Sequence, residues 1–277
     1  VIFWRKTKMN NVYIMSANRS AIGGFGGTLK NHCPVDLGTL VAKEAIKRSG
    51  FEVNEVEHAV FGNVIHTEPR DMYVSRVIAL QAGMDKASAA LTVNRLCGSG
   101  LQAIVSASQI IMLGDASVAM AGGVEVMSNG AHIVQGFRWG SRMGDGQVHD
   151  MMLGALHDPF GHGHMGITAE NISSRYQISR EMQDEFALTS QKRAHEAIEN
   201  GAFKDQILPI EIKTRKGIEI FEIDEHPKPE TSMETLTGLR TAFKKDGVVT
   251  AGNASGINDG ASALILANEE KAKKGKP

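Results

Sequence analysis

Over the first half of the chain, short apolar runs alternate with stretches of helical period. Val12–Met15 predicts a strand, and Leu37, Leu40, Val41, Ala45 and Ile46 recur at the spacing of one helix face. Ala59–Ile65 predicts a second strand, Val74–Ala82 a helix and Ala90–Asn94 a third strand. A helix follows from Gly100 to Leu113, then the apolar run Val118–Ala121, which Gly122-Gly123 is expected to close. Strand–helix–strand alternation with short connections predicts an α/β fold, a sheet covered by helices.

The texture changes after Glu125. From Val126 to His164 the chain carries many Gly, Met and His and little periodicity, which predicts a long ordered excursion. Helices are then expected over Thr168–Gln177 and Ser179–Asn200, with Ser179 as N-cap and Gly201 as the stop. Ile207–Ile212 and Ile218–Ile223 predict a hairpin, and Thr250–Ala267 returns to the glycine, alanine and aliphatic texture of the first region. The expected organisation is a core domain over 9–125, an insertion over 126–249, and return strands over 250–277 that rejoin the core sheet.

Composition narrows the partners. The 30 Lys and Arg against 31 Asp and Glu leave a net charge of −1, so no electrostatic argument favours nucleic acid or a membrane surface. A 42% apolar share is enough for a sizeable core. No run is read as reaching the roughly 18–20 uncharged apolar residues that cross a bilayer, so no membrane partner is expected. Two cysteines, Cys33 and Cys97, make no disulfide framework, and the expected location is a reducing one, the cytoplasm. Val1–Lys8 puts apolar residues before basic ones, the reverse of a secretory signal, and reads as an upstream extension with Met9 as the start.

The segment richest in chemistry runs from Leu91 to Ile104. A strand enters a tight turn, Asn94-Arg95-Leu96-Cys97-Gly98-Ser99-Gly100, and a helix of small and aliphatic residues leaves it. Cys97 is thereby expected at a helix N-terminus, where orphan N–H groups and the dipole favour negative charge. Glycines at 98 and 100 let a ligand approach closely. A lone cysteine beside a helix is more often packing, but these flanks favour a nucleophile. Gly98-x-Gly100-x-x-Ala103 also matches part of a dinucleotide fingerprint, though the match lies on a later strand and no clean acidic residue ends the next strand at the expected distance.

Val93-Asn94-Arg95-Leu96-Cys97-Gly98-Ser99-Gly100-Leu101-Gln102-Ala103 resembles the active-site segment of the thiolases, the acetyl-CoA acetyltransferase and 3-ketoacyl-CoA thiolase family. Arg19-Ser20-Ala21-Ile22-Gly23, Gly122-Gly123-Val124-Glu125-Val126-Met127-Ser128, His164-Met165-Gly166-Ile167-Thr168-Ala169-Glu170-Asn171 and Thr250–Ala261 resemble further family segments in family order. Gly62-Asn63-Val64-Ile65 and Met151–Phe160 resemble the short-chain members. The resemblance implies a thiolase-like fold, a mixed sheet with helices on both faces, of which this chain holds the N-terminal half and an inserted loop domain.

It further implies acyl transfer through Cys97, which takes the acyl group of an acyl-CoA and passes it on in Claisen condensation or thiolysis. The Cys97 N–H would help form an oxyanion hole. Leu156, His164, Met165, Ala251, Ala254 and Ser255 match positions lining the pantetheine channel, and Lys228 falls where relatives carry an arginine near the nucleotide end of CoA. The implied substrates are coenzyme A thioesters with no tightly bound cofactor, and the implied assembly is a homodimer or homotetramer. Phe137–Met143 resembles the tetramer-forming loop; read as residues alone, it is an exposed loop anchored by Trp139.

Other features have plainer readings. His157, His162 and His164, with Asp158, could suggest a metal site, but the intervening glycines and the lack of a nearby cysteine argue against one. Cys33 is expected to pack, and Arg215-Lys216 to form a solvated hairpin tip. The family's Asn-Glu-Ala-Phe, Gly-His-Pro and Cys-x-Gly motifs, carried by a second half-domain, do not occur in these 277 residues. A non-catalytic acyl-CoA-binding or assembly module is therefore the alternative to an acyltransferase. A condensing enzyme of the ketoacyl-synthase type is disfavoured by the residues flanking Cys97.

Overall fold

The computed structural model describes residues 10–274, so the expectation for Val1–Lys8 and a start at Met9 lies outside the described residues. Its centre is a seven-stranded mixed sheet built from β1 (Val12–Ser20), the two-residue β2 (Gly23–Gly24), β3 (His58–Gly62), β4 (Ala89–Val93), β5 (Val118–Val126), β10 (Ile207–Leu208) and β13 (Asn258–Asn268). The order is β10-β1-β13-β5-β3-β4, with β2 paired to β13. β13 runs antiparallel between β1 and β5, while β5, β3 and β4 are mutually parallel. The late chain thus rejoins the sheet through β13, in a central position that the sequence reading does not specify.

Alternation along β5 assigns the two faces. Val118, Met120 and Val124 join a core under α1 (Pro34–Ser49) and α2 (Val74–Gln81), whereas Ala119 and Ala121 pack with α3 (Ser99–Leu113) on the opposite face. Phe61, Leu37, Ile78 and Met120 are fully buried in the first layer. The second layer is thinner, because α3 meets the sheet through Ala103, Ala107 and Ile111.

Three expectations change. β5 does not stop at Ala121: Gly122 and Gly123 pair with Ala263 and Ser262, and the strand continues to Val126. A Cβ on Gly122 would lie 2.5 Å from the Phe61 ring, so the glycine makes room for a core aromatic and does not end the strand. The hairpin is shorter than expected, β11 (Ile210–Thr214) with β12 (Gly217–Phe221), because Ile207–Leu208 leaves it to pair parallel with β1. Finally, Leu96–Leu113 is an uncharged stretch with mean hydropathy 1.5, long and apolar enough for a span by length and composition. Its α3 portion rests on β5 and β3, with Leu101 and Leu113 exposed.

The excursion contains β6 (His132–Val134), β7 (Val148–Asp150), α4 (Met151–Ala155), β8 (His157–Asp158) and β9 (Gly163–His164). α5 (Met165–Tyr176) and α6 (Arg180–Glu199) follow, then α7 (Met233–Thr237) and, after β13, α8 (Glu269–Lys274). Ser179 caps α6 by accepting the Met182 N–H, as the sequence predicts. Two buried carboxylates strap the late loop to these helices. Glu170 accepts the Val248 and Val249 amides, and Asp184 accepts from Asn253 while paired with Arg180. Within the 126–249 span, Ile207, Ile210 and Phe221 are buried in the main core, so that span is not wholly separate from the core domain.

Candidate active site

The turn that carries Cys97 is built by its own side chains. The Asn94 side-chain oxygen accepts the Leu96 N–H at 3.0 Å, and the Ser99 hydroxyl accepts from the Arg95 N–H at 2.8 Å while donating to the Leu96 carbonyl at 2.6 Å. Leu96 is held at φ 48°, a left-handed conformation that a bulky residue rarely takes. α3 begins at Ser99 with Gly98 as N-cap, so Cys97 stands one residue before the cap, exposed, at the end of the strained turn.

The turn sits on two paired glycines. Gly62 of β3 lies opposite Gly123 of β5. A Cβ on Gly62 would come 2.7 Å from the Ser99 carbonyl carbon, and one on Gly123 would come 3.4 Å from the Gly100 Cα. Bare backbone at Gly62 lets the start of α3 come this close to the sheet, whereas a Cβ at Gly123 would make only ordinary contact with it.

Cys97 opens onto a cavity of about 480 Å³ between this turn, the ends of β3 and β5, the start of β13 and Leu156. Val64, Ile65 and Glu125 line one part of it, Arg19 and Asn258–Ser262 another. Arg19 is not a free cation: it pairs with both carboxylate oxygens of Asp224, at 2.7 and 2.9 Å. Burial works against the Asp224 charge, but the Arg19 and Ile22 hydrogen bonds prevail and hold its carboxyl below the usual range. Asp259 is buried and accepts from the Ser128 N–H and hydroxyl. Glu125 accepts from the Val64 and Ile65 amides and the Asn63 side chain, and burial pushes its carboxyl up to about 7.

Of the residues singled out from sequence, Cys97 and Leu156 line the same cavity. Met165 is tied to Leu156 by an N–H···O bond of 2.8 Å but is exposed, and the residues lining the cavity do not include His164, Met165, Lys228, Ala251, Ala254 or Ser255. His164 caps α5, accepting the Gly166 N–H through Nδ1 and stacking on Phe243 at 4.7 Å. Lys228 is exposed, and its backbone N–H donates to Gln191 of α6. Ala251, Ala254 and Ser255 lie on the loop strapped by Glu170 and Asp184, where the Ala254 N–H donates to the Thr250 carbonyl.

The histidine segment uses its polar atoms locally. His157 Nδ1 lies 2.8 Å from the Leu153 carbonyl, and Asp158 accepts the Phe160 and His162 amides. Among the described residues no group of three or more His, Cys, Asp or Glu is placed to hold a metal ion. Trp139 is 87% exposed and so does not anchor its loop, a correction to the plainer reading of Phe137–Met143. Cys33 does more than pack: its thiol donates to Asp36 at 2.8 Å and accepts from Arg70 at 3.0 Å, and burial, followed by the Asp36 hydrogen bond, pushes it up to about 11.

His164 yields a test of the α5 cap. Nδ1 accepts a hydrogen bond, so the ring must be neutral with its proton on Nε2, and burial, then His157, hold it below the ordinary imidazole value. The cap's contribution is complete above that ordinary value and is lost as the pH falls through the depressed one. Exchange of the Gly166 amide with deuterium, corrected for intrinsic pH dependence, is expected to accelerate over that window and to lose the dependence in His164→Asn. Equal profiles in both proteins would contradict it.

Glu125 and Asn63 were not singled out as site residues from sequence. Beyond their place in the family-like segments Gly62–Ile65 and Gly122–Ser128, the local signal is a carboxylate between two valines at a strand end, Val124-Glu125-Val126.

A family model described as the thiolase N-terminal domain matches residues 12–270. Beta-ketothiolase BktB of Cupriavidus necator is 53% identical over 264 residues, covering 95% of this chain and 67% of that protein. The structure of acetyl-CoA acetyltransferase from Bacillus anthracis superimposes with TM-score 0.93 at 48% identity, over 96% of this chain and 68% of that one. Human mitochondrial 3-ketoacyl-CoA thiolase in complex with CoA superimposes with TM-score 0.93 at 39% identity, over 98% and 68%. The chain thus spans about two thirds of the length of these relatives. With the fold and the sequence matching along nearly the whole chain, this protein belongs to the thiolase family.

Proposed function

We propose that this chain supplies the cysteine nucleophile and most of the coenzyme A cradle of an acyltransferase that condenses or cleaves acyl-CoA thioesters, acetyl-CoA plus acyl-CoA giving 3-ketoacyl-CoA plus CoA. The observation that carries the reading is the exposed Cys97 on a strained turn at the N-terminal side of α3, opening into a cavity of about 480 Å³. The Cys97 sulfur attacks the thioester carbonyl, the carbon–sulfur bond to CoA breaks, CoA leaves as its thiol, and the acyl group stays on Cys97. The Cys97 N–H stabilises the tetrahedral oxyanion. Deprotonation of the Cys97 thiol and proton transfer at the α-carbon belong to the part of the relatives' length that this chain does not span.

The inserted region, with Leu156, His164, Met165, Lys228, Ala251, Ala254 and Ser255, receives the CoA pantetheine and nucleotide, with lysine giving charge but no planar stacking surface at 228. Assembly is as a homodimer or homotetramer, in the cytoplasm, and the exposed Phe137, Trp139 and Met143 suit a contact between copies.

The second reading, a CoA-binding or assembly module without turnover, is favoured by the apolar side of α3, where Leu101 and Leu113 stand exposed. Isothermal titration with CoA, run beside an assay for CoA released from acetyl-CoA, separates the two. Heat of binding together with acetyl transfer to Cys97 is the expected result. Binding without transfer supports the module, and the absence of both overturns the CoA cradle.

A further inference from the structure

The charged groups of the cavity differ in what they hold. Arg19 is paired with Asp224, and Asp259 serves Ser128. Glu125, on the strand that also carries Gly123, reaches across to the segment that leaves the sheet after Gly62. Its Oε2 accepts the Val64 N–H at 2.9 Å, and its Oε1 accepts the Ile65 N–H at 2.9 Å and the Asn63 amide at 3.2 Å. Asn63 donates in addition to the Val124 carbonyl. The strand ladder between β3 and β5 ends at Gly62 and Gly123, so this carboxylate takes over the work of a ladder for the next residues.

Those residues form part of the cavity. Val64 and Ile65 line it together with Cys97, on a segment whose two amides would be orphaned without Glu125. We propose that Glu125 is a positioning residue for the Cys97 site, its carboxyl holding the 63–65 segment as the wall against which an acyl group carried by Cys97 packs. The acyl group rests on the function proposed above; the wall and its support do not.

The carboxyl also makes the wall sensitive to pH. Burial raises it, the Ile65 and Val64 hydrogen bonds lower it, and the nearby Asp71 charge raises it again, for a value of about 7. Arg19 and Asp259, the other charged residues of the cavity, are each engaged by their own partners. Protonation puts a donor where an acceptor is needed and weakens the hold on one of the two amides.

The test uses the 277-residue chain and two thiol reagents, the small iodoacetamide and the bulky N-phenylmaleimide, with modification counted on the Cys97 peptide by mass spectrometry. Both react with the thiolate, so the ratio of their rates cancels the thiolate fraction and reports the room around Cys97. Glu125→Ala orphans both amides and is expected to raise the bulky-to-small ratio about tenfold, whereas Glu125→Gln, which keeps an acceptor at Oε1, stays within about threefold of the native protein. Between about pH 6 and pH 8 the ratio is expected to drift in the native protein and stay flat in Glu125→Gln. An unchanged ratio in Glu125→Ala, or equal shifts in the two variants, would overturn the proposal. If Glu125→Ala does not fold, the pH series decides alone, and a drift retained in Glu125→Gln overturns it. Neither reagent involves CoA, so failure of acetyl-CoA to label Cys97 would sink the proposed function while leaving this test intact.

Discussion

Cys97→Ala is expected to reduce acetyl transfer from acetyl-CoA to background, because the residue that takes the acetyl group is gone whatever base activates it. Stability should hardly move. Cys97 is exposed, on a turn organised by Asn94 and Ser99, and a surface substitution of this kind is expected to stay within about 0.5 kcal/mol. The two readouts together separate chemistry from folding: release of free CoA should fall to background while urea unfolding overlays that of the native chain. A variant that still transfers the acetyl group would remove Cys97 from the mechanism. A variant that unfolds early would show that the turn depends on the sulfur.

The second large effect is expected at Gly62. An alanine there would put its Cβ 2.7 Å from both the carbonyl carbon and the Cβ of Ser99, and 2.9 Å from the Ser99 carbonyl oxygen. The obstacle is mostly backbone at the start of a helix, so it cannot rotate away, and overpacking of this sort costs about 1–3 kcal/mol. Relief requires the start of α3 to lift from the sheet, which carries the Cys97 turn with it. Gly62→Ala is therefore expected to lower the urea midpoint and to slow acylation of Cys97 about tenfold or more, since misplacing reacting atoms forfeits orientation. Gly100→Ala is the matched control. Its Cβ would meet nothing within 4 Å, and in the first turn of α3 alanine should leave stability unchanged or raise it. Equal destabilisation by both substitutions would contradict the seating of the turn on Gly62.

The sequence was most legible where structure is local. The strand–turn–helix around Cys97 spans a dozen residues, and the side chains that fold it are in the same segment. The face of α1 could be read from spacing, although Leu40, counted on the apolar face, is 39% exposed. Long-range pairing was less legible. Gly122-Gly123 looks like a stop until Phe61 and the β13 backbone occupy the space a side chain would fill. Ile207–Leu208 looks like hairpin until it meets β1, nearly 190 positions earlier in the chain.

Within the site the same distinction holds. Cys97 could be argued from residue types alone, whereas the channel positions from Leu156 to Ser255 came only from family resemblance. Glu125 was invisible as a clamp because its partners lie 60 to 62 residues away, and a carboxylate between two valines does not indicate where its acceptors will be used.

An acyl group carried by Cys97 can be detected directly on that residue. Incubating the chain with acetyl-CoA at a pH of about 9, above the reference thiol value, allows acylation without a separate base. Acid quench, proteolysis and peptide mass spectrometry then locate the acetyl group. A hydroxylamine-labile acetyl thioester is expected on the Cys97 peptide, with the Cys33 peptide unmodified. Acetyl on Cys33 alone, or a Cys97 peptide that stays free while iodoacetamide still alkylates it, would rule out Cys97 as the acyl carrier.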